Sequence, residues 1–179
     1  MRQPKPEGGY NLRSGLVIYP TQQEAIETLL NKLAQQIPAT FILLADVTGQ
    51  VVSTRGGQGE INTVSLGSLV AGDLAASHEI ARLTGQFQEY QLVLREGSTT
   101  HTFICEGGQH LAMLVQVSTE VPLGWARMII RKAAQRLSEI ADAPLEANQE
   151  AEEMIAELDL DTDDFSTLFS EALDDLWTE

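Results

Sequence analysis

An α+β domain with the element order α-β-β-α-β-β-β-α is what this chain predicts, and three observations predict it. Three segments, near residues 21–37, 65–85 and 121–141, carry apolar residues at helical spacing. Between them lie apolar or alternating runs separated by glycine-bearing turns, the mark of antiparallel strands joined by hairpins. The charge then divides the chain: residues 1–141 hold 12 acids and 11 bases, whereas residues 142–179 hold 14 acids and no Lys or Arg. The folded domain is therefore expected over 20–141. A flexible segment at 1–19 precedes it, and an acidic tether at 142–162 leads to an amphipathic helix at 163–179.

The elements follow in order. "MRQPKPEGGYNLRSG" is rich in Pro, Gly and charge and is expected to be mobile. In "TQQEAIETLLNKLAQQI", Thr21 stands as N-cap with Glu24 three residues on, the spacing of a capping box. Pro38 ends that helix, and "ATFILLADV" is dense in large apolar side chains, as a buried strand is. "DVTGQ" turns the chain at Gly49 into "VVST", closing a hairpin, and "RGGQGEINTV" is a glycine-rich crossover to the middle helix. After Gly85, "QEYQLVLREG" alternates Tyr90, Leu92 and Leu94 on one face, and "STTHTFICEGGQHLAMLVQV" supplies two more strands. Gly107 and Gly108 offer the positive φ that a tight hairpin turn requires. Finally "VPLGWARMIIRKAAQRLSEIA" turns Ala126, Ile129, Ile130, Ala133, Leu137 and Ile140 toward the core.

Composition narrows the class. With 179 residues and 43% hydrophobic content the chain can bury one sizeable core. No apolar run approaches the roughly 20 residues that span a bilayer, so no membrane insertion is expected. The opening residues carry no apolar signal-peptide core, and the single cysteine, Cys105, fits a reducing cytoplasm. A formal charge of −15 argues against nucleic acid as a partner, because phosphate binding needs clustered Lys and Arg.

Nothing in the sequence forms a catalytic or cofactor site. His101, Cys105 and His110 fall on one hairpin, but their spacing matches no common zinc site, and alternation does not oblige them to share a face. "RGGQGE" lacks the G-K-[ST] ending of a phosphate-cradling loop. Ser65, Ser68 and Ser77 have no nucleophile-elbow sequence around them. Asp46 sits at a turn, where a carboxylate commonly caps its own backbone. No cofactor and no metal are expected.

The middle helix is the unusual element. Leu66, Leu69, Val70, Leu74, Ile80, Ala81 and Leu83 form one broad apolar face, expected against the sheet. The opposite face begins with Gly67, Ser68, Ala71, Gly72 and Ala75 and turns polar only at His78, Glu79 and Arg82. Two glycines inside a helix cost about 1 kcal/mol each relative to alanine, so close approach of another backbone is the expected reason for them. Asp73 and Ser77 fall within the apolar face and would need partners if buried.

The tail carries its own pattern. In "DDFSTLFSEALDDLW", Phe165, Leu168, Phe169, Ala172, Leu176 and Trp177 recur at helical spacing behind a capping Asp163 or Asp164. A conditional docking helix on an acidic tether is expected. Its target is either a partner or the basic outward side of the last helix, at Arg127, Arg131, Lys132 and Arg136.

Taken together, the element order, "FILLADVTGQVVSTRG" and "LGSLVAGDLAASHEIARLTG" resemble the roadblock/dynein light chain family over residues 20–141. The likeness is to its bacterial branch, the MglB-like regulators of small Ras-like GTPases. That resemblance implies a five-stranded antiparallel sheet with the first and last helices on one face and the middle helix on the other. It implies a homodimer paired through the middle helix and the third strand, residues 64–84 and 88–96 here. The middle helices of the dimer would face a small Ras-like GTPase, which makes Gly67, Ser68, Ala71, Gly72, Ala75, His78, Glu79, Arg82, Tyr90 and Leu92 the expected interface. Such a regulator is not itself an enzyme; it promotes the partner's GTP hydrolysis by ordering switch loops or by donating an arginine, for which Arg55 and Arg82 lie nearest. A scaffold that binds without changing hydrolysis is the alternative.

Overall fold

The computed structural model describes residues 8–57, 59–85 and 92–143. Of the tether expected at 142–162, Asp142 still belongs to the last helix and residues 144–162 lie outside the described residues, as do the amphipathic segment at 163–179 and Tyr90.

The described residues begin with a small hairpin. Strands β1 (Tyr10–Asn11) and β2 (Val17–Ile18) pair antiparallel, and Leu12 and Ile18 are buried in the main core. The segment expected to be mobile is thus tied down from residue 10 onward. Helix α1 runs Pro20–Gln36 and begins earlier than the capping pattern suggests. Tyr19 is the N-cap, Pro20 occupies the first turn, where its missing N–H costs nothing, and Gln22 Oε1 accepts from the Tyr19 N–H at 3.1 Å. Thr21 and Glu24 therefore lie inside the helix and do not cap it.

Strands β3 (Ala39–Asp46) and β4 (Val51–Gly56) form the first hairpin of the main sheet. Helix α2 covers Thr63–Thr84; Asn62 Oδ1 caps it by accepting from the Ser65 N–H at 3.0 Å, and Gly85 ends it in the left-handed conformation. Strands β5 (Leu92–Glu96), β6 (Thr100–Gly107) and β7 (Leu111–Ser118) follow, then helix α3 (Leu123–Asp142). At the β6–β7 turn only Gly108 takes a positive φ; Gly107 still belongs to the strand.

The five strands make one antiparallel sheet in the order β4-β3-β7-β6-β5, so β4 and β5 are its edges. Strand alternation sorts the side chains between two layers. Ile42, Leu44, Phe103, Cys105, Met113 and Val115 face α1 and α3, whose Leu29, Leu33, Ile129, Ala133 and Leu137 complete that core. Phe41, Leu43, Ala45, Ile104, Ala112 and Leu114 face α2, which contributes Val70 and Leu74. The expected layering, with the first and last helices on one side and the middle helix on the other, is the observed one. All six residues expected to anchor α3 are buried.

Candidate functional site

The candidate site is the outward side of α2, and its position follows from what holds the helix down. At the β3–β4 turn, Asp46 is fully buried and accepts hydrogen bonds from Thr48 N (3.0 Å), Thr48 Oγ1 (2.7 Å), Gln50 N (2.8 Å) and Ser14 N (2.9 Å). Burial alone would push its carboxyl up; these four donors outweigh it and hold the pKa below the usual carboxylate range. The turn they fix brings Gly49, at φ +88°, against α2. A Cβ on Gly67 would lie 2.5 Å from the Gly49 carbonyl oxygen. Gly67 is therefore explained within the chain: it lets the turn seat on the helix, and it does not belong to the open face where it was expected.

This contact rotates α2 relative to the expected orientation. Gly67, Val70 and Leu74 are buried, with Leu66, Ala71, His78 and Ala81 half-buried beside them. Leu69, Ile80 and Leu83, expected against the sheet, are 68%, 62% and 70% exposed, and Val64 is 71% exposed. Together with exposed Gly72 and Ala76, the residues Leu69, Ile80 and Leu83 make a solvent-facing apolar stripe along the helix. Ser68, Ala75, Glu79 and Arg82 are exposed next to it, and among the described residues nothing beyond the helix's own adjacent backbone comes within 4 Å of where a Cβ on Gly72 would be. Single exposed apolar residues are ordinary, but four large ones on one helix are a concentration of exposed apolar side chains.

Charged groups fasten the flanks. Asp73, one of the polar residues that needed a partner, accepts from Arg95 Nη2 of the edge strand β5 at 2.5 Å. His78 Nε2 meets the Glu106 carboxylate on β6. Glu79 and Arg82 pair with each other through two hydrogen bonds, of 2.8 and 2.5 Å. The arginine lowers the glutamate's pKa and is itself raised by it. Arg55 lies elsewhere. In register with Ile42, it faces α1, where it pairs with Glu27 and donates to Asn31 Oδ1 at 2.8 Å. It is on the opposite side of the sheet from α2, so it cannot serve the surface for which it was considered. Leu92 packs toward the α3 side of β5.

The other candidates do not assemble into a site. His101 and Cys105 alternate onto one face of β6, while His110 sits in the following turn. Among the described residues no group of three or more His, Cys, Asp or Glu converges to hold a metal. Burial, aided by the neighbouring Glu106 carboxylate, pushes the Cys105 thiol up to about 12, so almost no thiolate exists at neutral pH. Among the described residues no helix is long and apolar enough to cross a membrane.

A sheet with two helices on one face and a single helix of this kind on the other is the roadblock architecture. Neither a sequence-family model nor a curated protein matches the chain. Solved structures do. MglB of Myxococcus xanthus is 30% identical, with a TM-score of 0.60, covering 64% of this chain and 93% of that one. The gliding protein MglB of Thermus thermophilus is 24% identical with a TM-score of 0.65, covering 73% and 98%. An MglB described with a tetrameric arrangement is 25% identical with a TM-score of 0.66, again covering 73% and 98%. The chain belongs to the roadblock/LC7 domain family, and within it is similar to MglB.

Proposed function

We propose that the chain is a non-catalytic regulator of a small Ras-like GTPase, acting as a homodimer that uses α2 and the edge strand β5 for pairing and the α2 surface for the GTPase. One observation carries this: the outward face of α2, where Val64, Leu69, Ile80 and Leu83 stay exposed among Ser68, Gly72, Ala75 and Ala76. The small residues let a second backbone approach, and the large ones supply area to bury, at about 25 cal/mol per Å² of apolar surface. The likeness to MglB and the edge position of β5 support the same arrangement.

Ordering of the GTPase's switch loops is the mechanism we favour. Arg55 is committed to Glu27 and Asn31, and Arg82 to Glu79, so neither stands ready as a transition-state arginine. A regulator that orders switch loops must bind the GTP form more tightly than the GDP form, because a ligand shifts an equilibrium only through differential affinity. Single-turnover GTP hydrolysis by the Ras-like GTPase recovered with this protein from its native cell tests the proposal. Faster hydrolysis together with tighter binding of the GTP form is expected. Equal affinity for both forms and unchanged hydrolysis would leave only a scaffold.

A further inference from the structure

On the other side of the sheet, α3 and the β5–β6 edge enclose a groove of about 350 Å³. Its apolar floor is formed by Leu92, Cys105 and Met128, and its rim by Arg127, Arg131 and Lys132. The rim is exceptional in this molecule. Residues 123–138 of α3 hold Arg127, Arg131, Lys132 and Arg136 and no acid, although the chain has only 11 Lys and Arg and a net charge of −15.

We infer that residues 163–179 of the same chain dock along this groove as a helix and cover it. The segment complements the groove in both respects. It carries six acids and no base, and it presents Phe165, Leu168, Phe169, Leu176 and Trp177 on one stripe. The reach is sufficient. Returning from Asp142 to Arg127 along α3 is a distance of roughly 23 Å at 1.5 Å per residue. The 19 residues between 143 and 163 have a root-mean-square span of about 25 Å as a flexible chain. Such a tether holds its end at an effective concentration on the order of millimolar, so a groove of only modest intrinsic affinity is occupied. The aromatic residues supply the affinity. The ion pairs, individually weak at an exposed rim, set the orientation. A helix of about 14 residues is marginal alone in water, so folding and docking occur together.

The chain has two tryptophans, Trp125 and Trp177, so a Trp125→Phe background leaves Trp177 as the sole tryptophan reporter, excited selectively over the three tyrosines, in the full-length protein. Docking is expected to give blue-shifted Trp177 emission shielded from acrylamide, independent of protein concentration. Adding Arg127→Glu and Arg131→Glu should lower the docked-to-free ratio about tenfold, by exchanging attraction for repulsion at two rim positions. Phe165→Ser with Phe169→Ser should do the same from the other partner, with the circular dichroism of the folded domain unchanged in both cases and its thermal transition lowered only by the lost docking. Water-like Trp177 emission in the starting protein would overturn the inference. So would a blue shift that survives the rim reversals, which places the segment elsewhere, or one that grows with concentration, which makes a second copy's segment the occupant.

Discussion

The two faces of the sheet are built to different ends. Among the described residues, the α1/α3 side buries a cluster of twenty-three residues, whereas the α2 side buries eight. Two helices cover the first face over β4, β3, β7 and β6, leave a groove beside β5, and expose no large apolar side chain of their own. One helix lies on the second face, with Val70 and Leu74 as its main anchors, while Leu69, Ile80 and Leu83 point away into water. The lesson is a division of labour: burial is concentrated on one layer, and the other leaves part of its apolar content at the surface.

The sharpest way to break this contrast is to truncate one leucine on each side. Leu29→Ala, at a fully buried position of α1, should cost about 2–5 kcal/mol in urea unfolding whatever the protein concentration. Leu69→Ala should change the stability of the folded chain by no more than about 0.5 kcal/mol. Any further loss it shows should fade on dilution, because it would come from association and not from the fold.

The two helical glycines sharpen the comparison next. Gly67→Ala forces a methyl group onto the Gly49 carbonyl, and should destabilise by about 1–3 kcal/mol as the turn or helix shifts. Gly72→Ala meets open space and should stabilise the isolated chain by up to about 1 kcal/mol through helix propensity. Equal responses in thermal melts would mean that α2 is not seated as described.

Much of this is legible in the sequence, and the exceptions have physical causes. The order of the main elements, the α3 core face and the capping role of Asp46 follow from periodicity and turn chemistry, which are local. The β1–β2 hairpin is not legible because strands of two residues carry no period; its only signal is the pair Leu12 and Ile18, which tertiary burial makes meaningful. The orientation of α2 escapes the pattern because apolar residues surround most of the helix. A pattern with two sticky sides does not say which side is covered by the chain itself. The deciding contact, Gly49 against Gly67, joins residues with no side chains to leave a pattern. Arg55 is misplaced because the resemblance that put it near the contact surface fixes no face for it, and its register with Ile42 turns it toward α1.

Acid provides a smaller perturbation. Because the Asp46 pKa is lowered in the folded state, its contribution is fully present above the unfolded value near 4 and is lost as pH falls through the folded value. Urea midpoints should therefore decline below about pH 4, and Asp46→Ala, which strips partners from four donors, should flatten that decline while lowering stability by about 1–3 kcal/mol at neutral pH. The smallest effects are expected at the arginines. Arg55→Ala should cost no more than about 1 kcal/mol and leave GTPase stimulation untouched, since its partners lie on α1 and on its own strand, away from α2. Arg82→Ala should reduce stimulation by less than about tenfold; a loss of about a thousandfold or more with binding intact would identify a donated arginine instead.

Ala76→Arg tests the contact surface most directly. Ala76 lies between Leu69 and Ile80 on the exposed stripe, and arginine is nearly as good a helix former as alanine, so the fold is preserved while a long charged side chain enters the contact. Light scattering at micromolar concentration should find the unsubstituted protein dimeric and the variant a folded monomer that binds its GTPase weakly. A variant that remains a dimer and binds with unchanged affinity would show that the outward face of α2 is not the surface through which this protein acts.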